Sequence, residues 1–79
     1  MKNKIDDFFH PNYKDNLEKE LENLGQREIS WIMDDVKEAN SKGNDFKITE
    51  MKFNSKNKTI NLHLRDESSK KSIERDIIL

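Results

Sequence analysis

The sequence predicts an α+β fold, a helical N-terminal half packed on a small antiparallel β-meander, and three observations carry that prediction. Ile29, Ile32, Met33 and Val36 recur at i, i+3, i+4 and i+7 within Gln26–Ala39, the spacing of one helical face. A breaker cluster, Asn40-Ser41-Lys42-Gly43-Asn44-Asp45, ends that pattern. From Phe46 onward the apolar period drops to two, the period of a strand. Charge changes at the same place. Residues 1–45 hold 7 basic and 11 acidic side chains, whereas residues 46–79 hold 8 basic and 5 acidic.

Seventy-nine residues make one small domain. The hydrophobic share is 32% and the charged share 39%. That balance leans toward disorder, but the apolar residues are clustered and periodic, so a thin core is expected. With no cysteine there is neither a disulfide framework nor a thiolate metal site. Oligomerisation, a homodimer included, is one way such a chain compensates. Lysines near the N-terminus lead into Asp6 and Asp7 rather than an apolar run, so no signal peptide is expected there. No stretch reaches transmembrane length, and a cytoplasmic protein with no membrane association is the simplest expectation. Lys, Asn and Ile supply 29 of the 79 residues. AT-rich codons favour those types, which suggests a low-GC bacterium, its phage or its plasmid.

Residues 1–11 read as an N-terminal arm, with Ile5, Phe8 and Phe9 to dock it and Pro11 ending any helical turn near His10. Residues 12–42 read as helical, with Asn12 as N-cap and a narrow stripe of Leu17, Leu21 and Leu24. Two arrangements compete at Gly25: one long helix, or two helices with Gly25 as a left-handed C-cap. The leucine stripe and the Ile29–Val36 stripe differ in phase by about 110° on a continuous helix, so the break is preferred. Trp31 then stands about 200° from Ile29, away from its own helix's apolar face.

Residues 46–79 read as a hairpin or meander. Phe46 and Ile48 share one parity, and Met51 and Phe53 the other, which suggests a β-bulge at Thr49–Glu50. A turn on Lys56-Asn57, with Asn supplying the left-handed residue, pairs Phe53 with Ile60 and Met51 with Leu62. Residues 66–71 form a second turn. The tail SIERDIIL fits a third strand with Ile73, Ile77 and Leu79 on one side, beside Leu64 and Ile60, or alternatively a helix with Ile73 and Ile77 at i and i+4.

No motif carries catalysis. His10 and Asp6 lack a third metal ligand, and His63 falls on the polar parity of its strand. Two glycines cannot build a phosphate cradle, and the acidic pairs Asp6-Asp7 and Asp34-Asp35 are chain neighbours rather than a shared cleft. No catalytic centre, cofactor or metal is therefore expected. The expected function is non-enzymatic binding of an unidentified protein partner, as an accessory regulator or inhibitor. Its candidate contacts are Trp31, Phe8, Phe9 and Tyr13, ringed by Asp34, Asp35 and Glu38. One alternative is a nucleic-acid-binding regulator using Lys52, Lys56, Lys58, Arg65, Lys70 and Lys71 on the hairpin. The slight net negative charge, −1, argues against it. Another alternative is a structural subunit of a homo-oligomer.

Overall fold

Alternation decides which side of the sheet is wet, and the central strand shows it most plainly. The computed structural model describes residues 4–79, so the first three residues of the expected arm lie outside it. Three strands, β1 (Lys47–Asn54), β2 (Thr59–Asp66) and β3 (Lys71–Ile78), form an antiparallel sheet in the order β1-β2-β3. In β2, Ile60, Leu62, Leu64 and Asp66 are buried, while Thr59, Asn61, His63 and Arg65 face the other side. Two helices, α1 (Lys14–Leu21) and α2 (Gln26–Ala39), cover the apolar face. The molecule measures 33 × 26 × 16 Å, thin enough for one helical layer on one sheet.

The strand register matches the side-chain pattern. Phe53 pairs with Ile60 and Met51 with Leu62, and the register slips between Ile48 and Glu50. That bulge lets Ile48 and Met51, of opposite parity, enter the same core. The tail is a strand, with Ile73 opposite Leu64 and Ile77 opposite Ile60.

Both hairpin turns use one device. Asn54 Oδ1 accepts the N–H groups of Lys56 (3.0 Å) and Asn57 (3.1 Å). Asp66 Oδ1 accepts those of Ser68 (2.9 Å) and Ser69 (3.4 Å). Each turn then closes on a left-handed lysine, Lys58 at φ 54° and Lys70 at φ 57°. The expected left-handed residue, Asn57, is displaced because the turn has four residues and its last position must reverse the twist.

Gly25 separates the helices, but not as a left-handed C-cap. It is extended, φ −89° and ψ 176°, and forms the N-cap of α2. Its N–H donates to Glu28 Oε1 at 2.9 Å, while Glu22–Leu24 make the turn out of α1. A side chain is compatible with that backbone. A Cβ there would lie 3.0 Å from Glu28 Oε1, the far end of a flexible side chain. Gly25→Ser adds a capping hydroxyl and restricts the unfolded chain, so it should stabilise by about 0.5–1 kcal/mol in urea unfolding. A destabilisation would mean that the Glu28 contact cannot relax.

The arm is more structured than a docked extended segment. A 3-10 helix over Lys4–Phe8 leads to Phe9, which forms a parallel bridge with Ile48, and the His10 N–H donates to the Ile48 carbonyl at 2.8 Å. A second 3-10 turn, Pro11–Tyr13, precedes α1. His10 rather than Asn12 provides its cap, with Nδ1 accepting the Asn12 N–H at 3.2 Å. The other ring nitrogen, Nε2, then carries the proton and donates to Glu67 Oε1 at 3.1 Å. Past α2, Asn40 holds the chain reversal: its Oδ1 accepts the Phe46 N–H at 2.6 Å and its Nδ2 donates to the Phe46 carbonyl.

Two carboxylates brace these connections. Asp66 is only 2% exposed, and the Asp45 N–H donating to it holds its carboxyl below the usual aspartate range, helped by Ser68 and Ser69. Hydrogen bonds from Arg65 and then His10 do the same for Glu67. Both groups are more acidic folded than unfolded, so the unfolded chain takes up protons first as the pH falls. Their contribution is complete above the ordinary carboxylate range and is lost as the pH drops through the folded-state values. Thermal midpoints should therefore fall steadily below about pH 4.5, and Asp66→Asn should flatten that slope. An unchanged slope in the variant would assign the acid sensitivity elsewhere.

Candidate functional site

Helix α2 turns Ile29, Ile32 and Val36 into the core, which leaves its other side over β3. Asp35 is the link between the two. Its carboxylate takes a two-pronged grip from Arg75, Nε to Oδ2 at 2.7 Å and Nη2 to Oδ1 at 3.0 Å. Glu38 stands 3.9 Å from the same guanidinium. The Asp35 hydrogen bond, with both acidic neighbours, raises the Arg75 pKa still further, so this cation is permanent.

Around that tie lies a shallow depression lined by Trp31, Asp34, Asp35, Glu38, Asp76 and Ile77. Trp31 is 42% exposed, a large apolar ring left at the surface beside carboxylates. Ile78, 82% exposed, follows on the open face of the sheet. The structure thus brings together Trp31, Asp34, Asp35 and Glu38 of the expected contacts. Phe8, Phe9 and Tyr13 do not line that depression. Phe9 is 3% exposed and belongs to the core, where it packs rather than presents a surface. Phe8 is half-buried against that core. Tyr13 is exposed but stacks edge-on against His10, at 5.2 Å between ring centroids. His10 bonds to the β2–β3 turn, and roughly 20 Å of strand separates that turn from Ile77.

The basic residues are not gathered either. Lys56 and Lys58 sit at the β1–β2 turn, Lys70 and Lys71 at the β2–β3 turn, at opposite ends of the sheet. Arg65 is engaged by Glu67 at 2.6 Å and Lys52 lies 3.4 Å from Glu50. Between the two lysine groups the open face carries His63 flanked by Glu50 (3.5 Å) and Glu74 (3.6 Å), and Asn61 donating to Glu74 and Asp76 (2.7 Å each). A phosphate backbone laid across the sheet would meet those carboxylates.

Arg75, Asp76, Ile77 and Ile78 escaped the sequence reading as site residues. One signal was there: adjacent isoleucines in a strand must put one side chain on each face, so one of Ile77 and Ile78 had to face solvent. Among the described residues no group of three His, Cys, Asp or Glu side chains is placed to hold a metal ion. No helix among them is long and apolar enough to cross a membrane. No family model matches the chain, and comparison with the curated proteins and with the solved structures finds no match.

Proposed function

We propose that the chain is a non-enzymatic protein-binding module, with the depression between α2 and β3 as its contact face. The observation that supports this reading is Trp31, 42% exposed and set among Asp34, Glu38 and Asp76 on a backbone pinned by the Asp35–Arg75 grip. A half-exposed tryptophan ringed by polar groups is the kind of side chain that dominates interface energies. An accessory regulator or inhibitor, acting by occupying a partner's surface, fits a domain this small, and a mobile genetic element fits its codon-biased composition.

The test compares proteins retained from host extract by the wild-type chain and by Trp31→Ala combined with Asp34→Lys. Asp34 is the residue changed because the neighbouring Asp35 holds Arg75 and its loss would lower stability. Loss of the retained protein with unchanged circular dichroism is expected, and the measured affinity should fall by about 2 kcal/mol, roughly thirtyfold. Retention of the same protein by both chains would overturn the assignment of this face.

A further inference from the structure

The sheet has two outer edges, and they are not alike. Along β1 the edge is interrupted: Phe9 bridges Ile48, the His10 N–H occupies the Ile48 carbonyl, and the bulge follows at once. Along β3 it is not. Among the described residues, β3 is eight residues long, pairs only with β2, and contains neither proline nor bulge. Natural proteins usually blunt such an edge.

Its hydrogen-bonding phase follows from one bond. The Leu79 N–H donates to the Lys58 carbonyl at 2.8 Å. In an antiparallel ladder the bonded pairs alternate, so Ile77, Arg75 and Ile73 bond inward to Ile60, Leu62 and Leu64. Ser72, Glu74, Asp76 and Ile78 therefore aim their backbone N–H and carbonyl groups outward. Beside this edge, two shallow depressions that share Glu38 lie end to end between α2 and β3. One includes Trp31 and Ile77, and the other Ala39 and Ile73.

We propose that the outer edge of β3 accepts an extended, lysine- or arginine-rich segment of a partner protein as a fourth antiparallel strand. The reading rests on the protein-binding function above and names the chemistry of the partner. Charge selects the occupant. Side chains of an added strand alternate between the open face, where they meet Glu74 and Asp76, and the α2 side, where they meet Asp34 and Glu38. Arg75 is tied to Asp35 and stands 3.9 Å from Glu38, but it pairs with none of Asp34, Glu74 and Asp76. Trp31, Ile77 and Ile78 give the C-terminal end of β3 an apolar anchor.

A second copy of the chain fits poorly. Two-fold pairing of β3 with itself must match outward-bonding residues, which restricts the centre. Centred on Arg75, it sets Arg75 against Arg75 and Glu74 against Asp76 twice. Shifted by one step either way, it sets Glu74 against Glu74 or Asp76 against Asp76. Like charges directly opposite are destabilising.

The probe is a ten-residue peptide of alternating lysine and valine, titrated into the labelled protein and followed by amide NMR. The expected result is a shift, with slowed hydrogen exchange, at the amides of Ser72, Glu74, Asp76 and Ile78. Backbone N-methylation of the peptide should weaken binding by about tenfold or more, because several edge hydrogen bonds are lost. Glu74→Pro removes an outward N–H while sparing the β2 ladder, and should weaken binding as strongly. Asp76→Lys gives a second variant should the proline disturb the strand. Equal binding of the methylated peptide, or shifts spread over the acidic surface of α1, would overturn the proposal in favour of bulk electrostatics. Self-association in light scattering that Glu74→Pro abolishes would overturn it in favour of a second copy. The two readings fail separately. A host protein lost by Trp31→Ala but kept by Glu74→Pro and Asp76→Lys leaves the binding face standing and removes the added strand.

Discussion

Leu62→Ala is expected to cost about 2–5 kcal/mol of stability, the range for truncating a buried leucine. Leu62 is fully buried at the middle of the central strand, opposite Met51 on one side and Arg75 on the other. The core is a single layer between helices and sheet, so a cavity there has little second-layer packing to collapse into it. Domains of this size hold only about 4–12 kcal/mol in total, at 0.05–0.15 kcal/mol per residue. Urea unfolding followed by circular dichroism should therefore show the midpoint reduced by roughly a sixth at the least, with the slope unchanged. A cost under about 1 kcal/mol, within the range of surface substitutions and mild repacking, would mean that Leu62 is not the centre of the core.

Breaking the Asp35–Arg75 grip is the second large effect. The Asp35 side chain is 17% exposed and Arg75 33%, so solvent screens the pair only in part. Hydrogen bonds to charged groups contribute about 1.5–3 kcal/mol. With that partial exposure Arg75→Ala should cost about 1–2 kcal/mol. Arg75→Lys should not recover it, since an ammonium cannot offer two parallel donors to one carboxylate. A double-mutant cycle with Asp35→Ala should return a coupling of about 1 kcal/mol that shrinks at high salt. A coupling near zero would make the contact a crossing of side chains rather than a tie. Because Arg75 also lies opposite Leu62, its truncation and Leu62→Ala should not be additive.

Much of the sheet was legible in the sequence because its determinants are local. The parity change after Ile48 marked the bulge, and the Lys56-Asn57 turn fixed which residues face each other, whereas Ile73 and Ile77 suited a strand or a helix and only the need for a third strand favoured the former. The helix break was legible from the phase mismatch between Leu17–Leu24 and Ile29–Val36, but the capping role of Gly25 was not. Glycine suits either end of a helix, and Glu28, three residues on, was the clue to an N-cap. What escaped depends on partners far apart in the chain. Nothing local to His10 indicates Glu67, and nothing local to Asp35 indicates Arg75, 40 residues later. The same holds for the contact face. Trp31 was legible as an outlier, whereas Asp76 and Ile77 join it only because β3 runs beneath α2.

The arm carries a consequence for the order of assembly. The meander closes through turns of four residues, so β1, β2 and β3 can find one another over short loops. Phe9 and His10 must wait. Their place is created by Ile48 and by Glu67, the latter 57 residues away along the chain. Loop closure over that span carries an entropic cost that rises with its length, and contacts closed over such distances form late. His10 is then expected to settle against Glu67 only after the meander has closed.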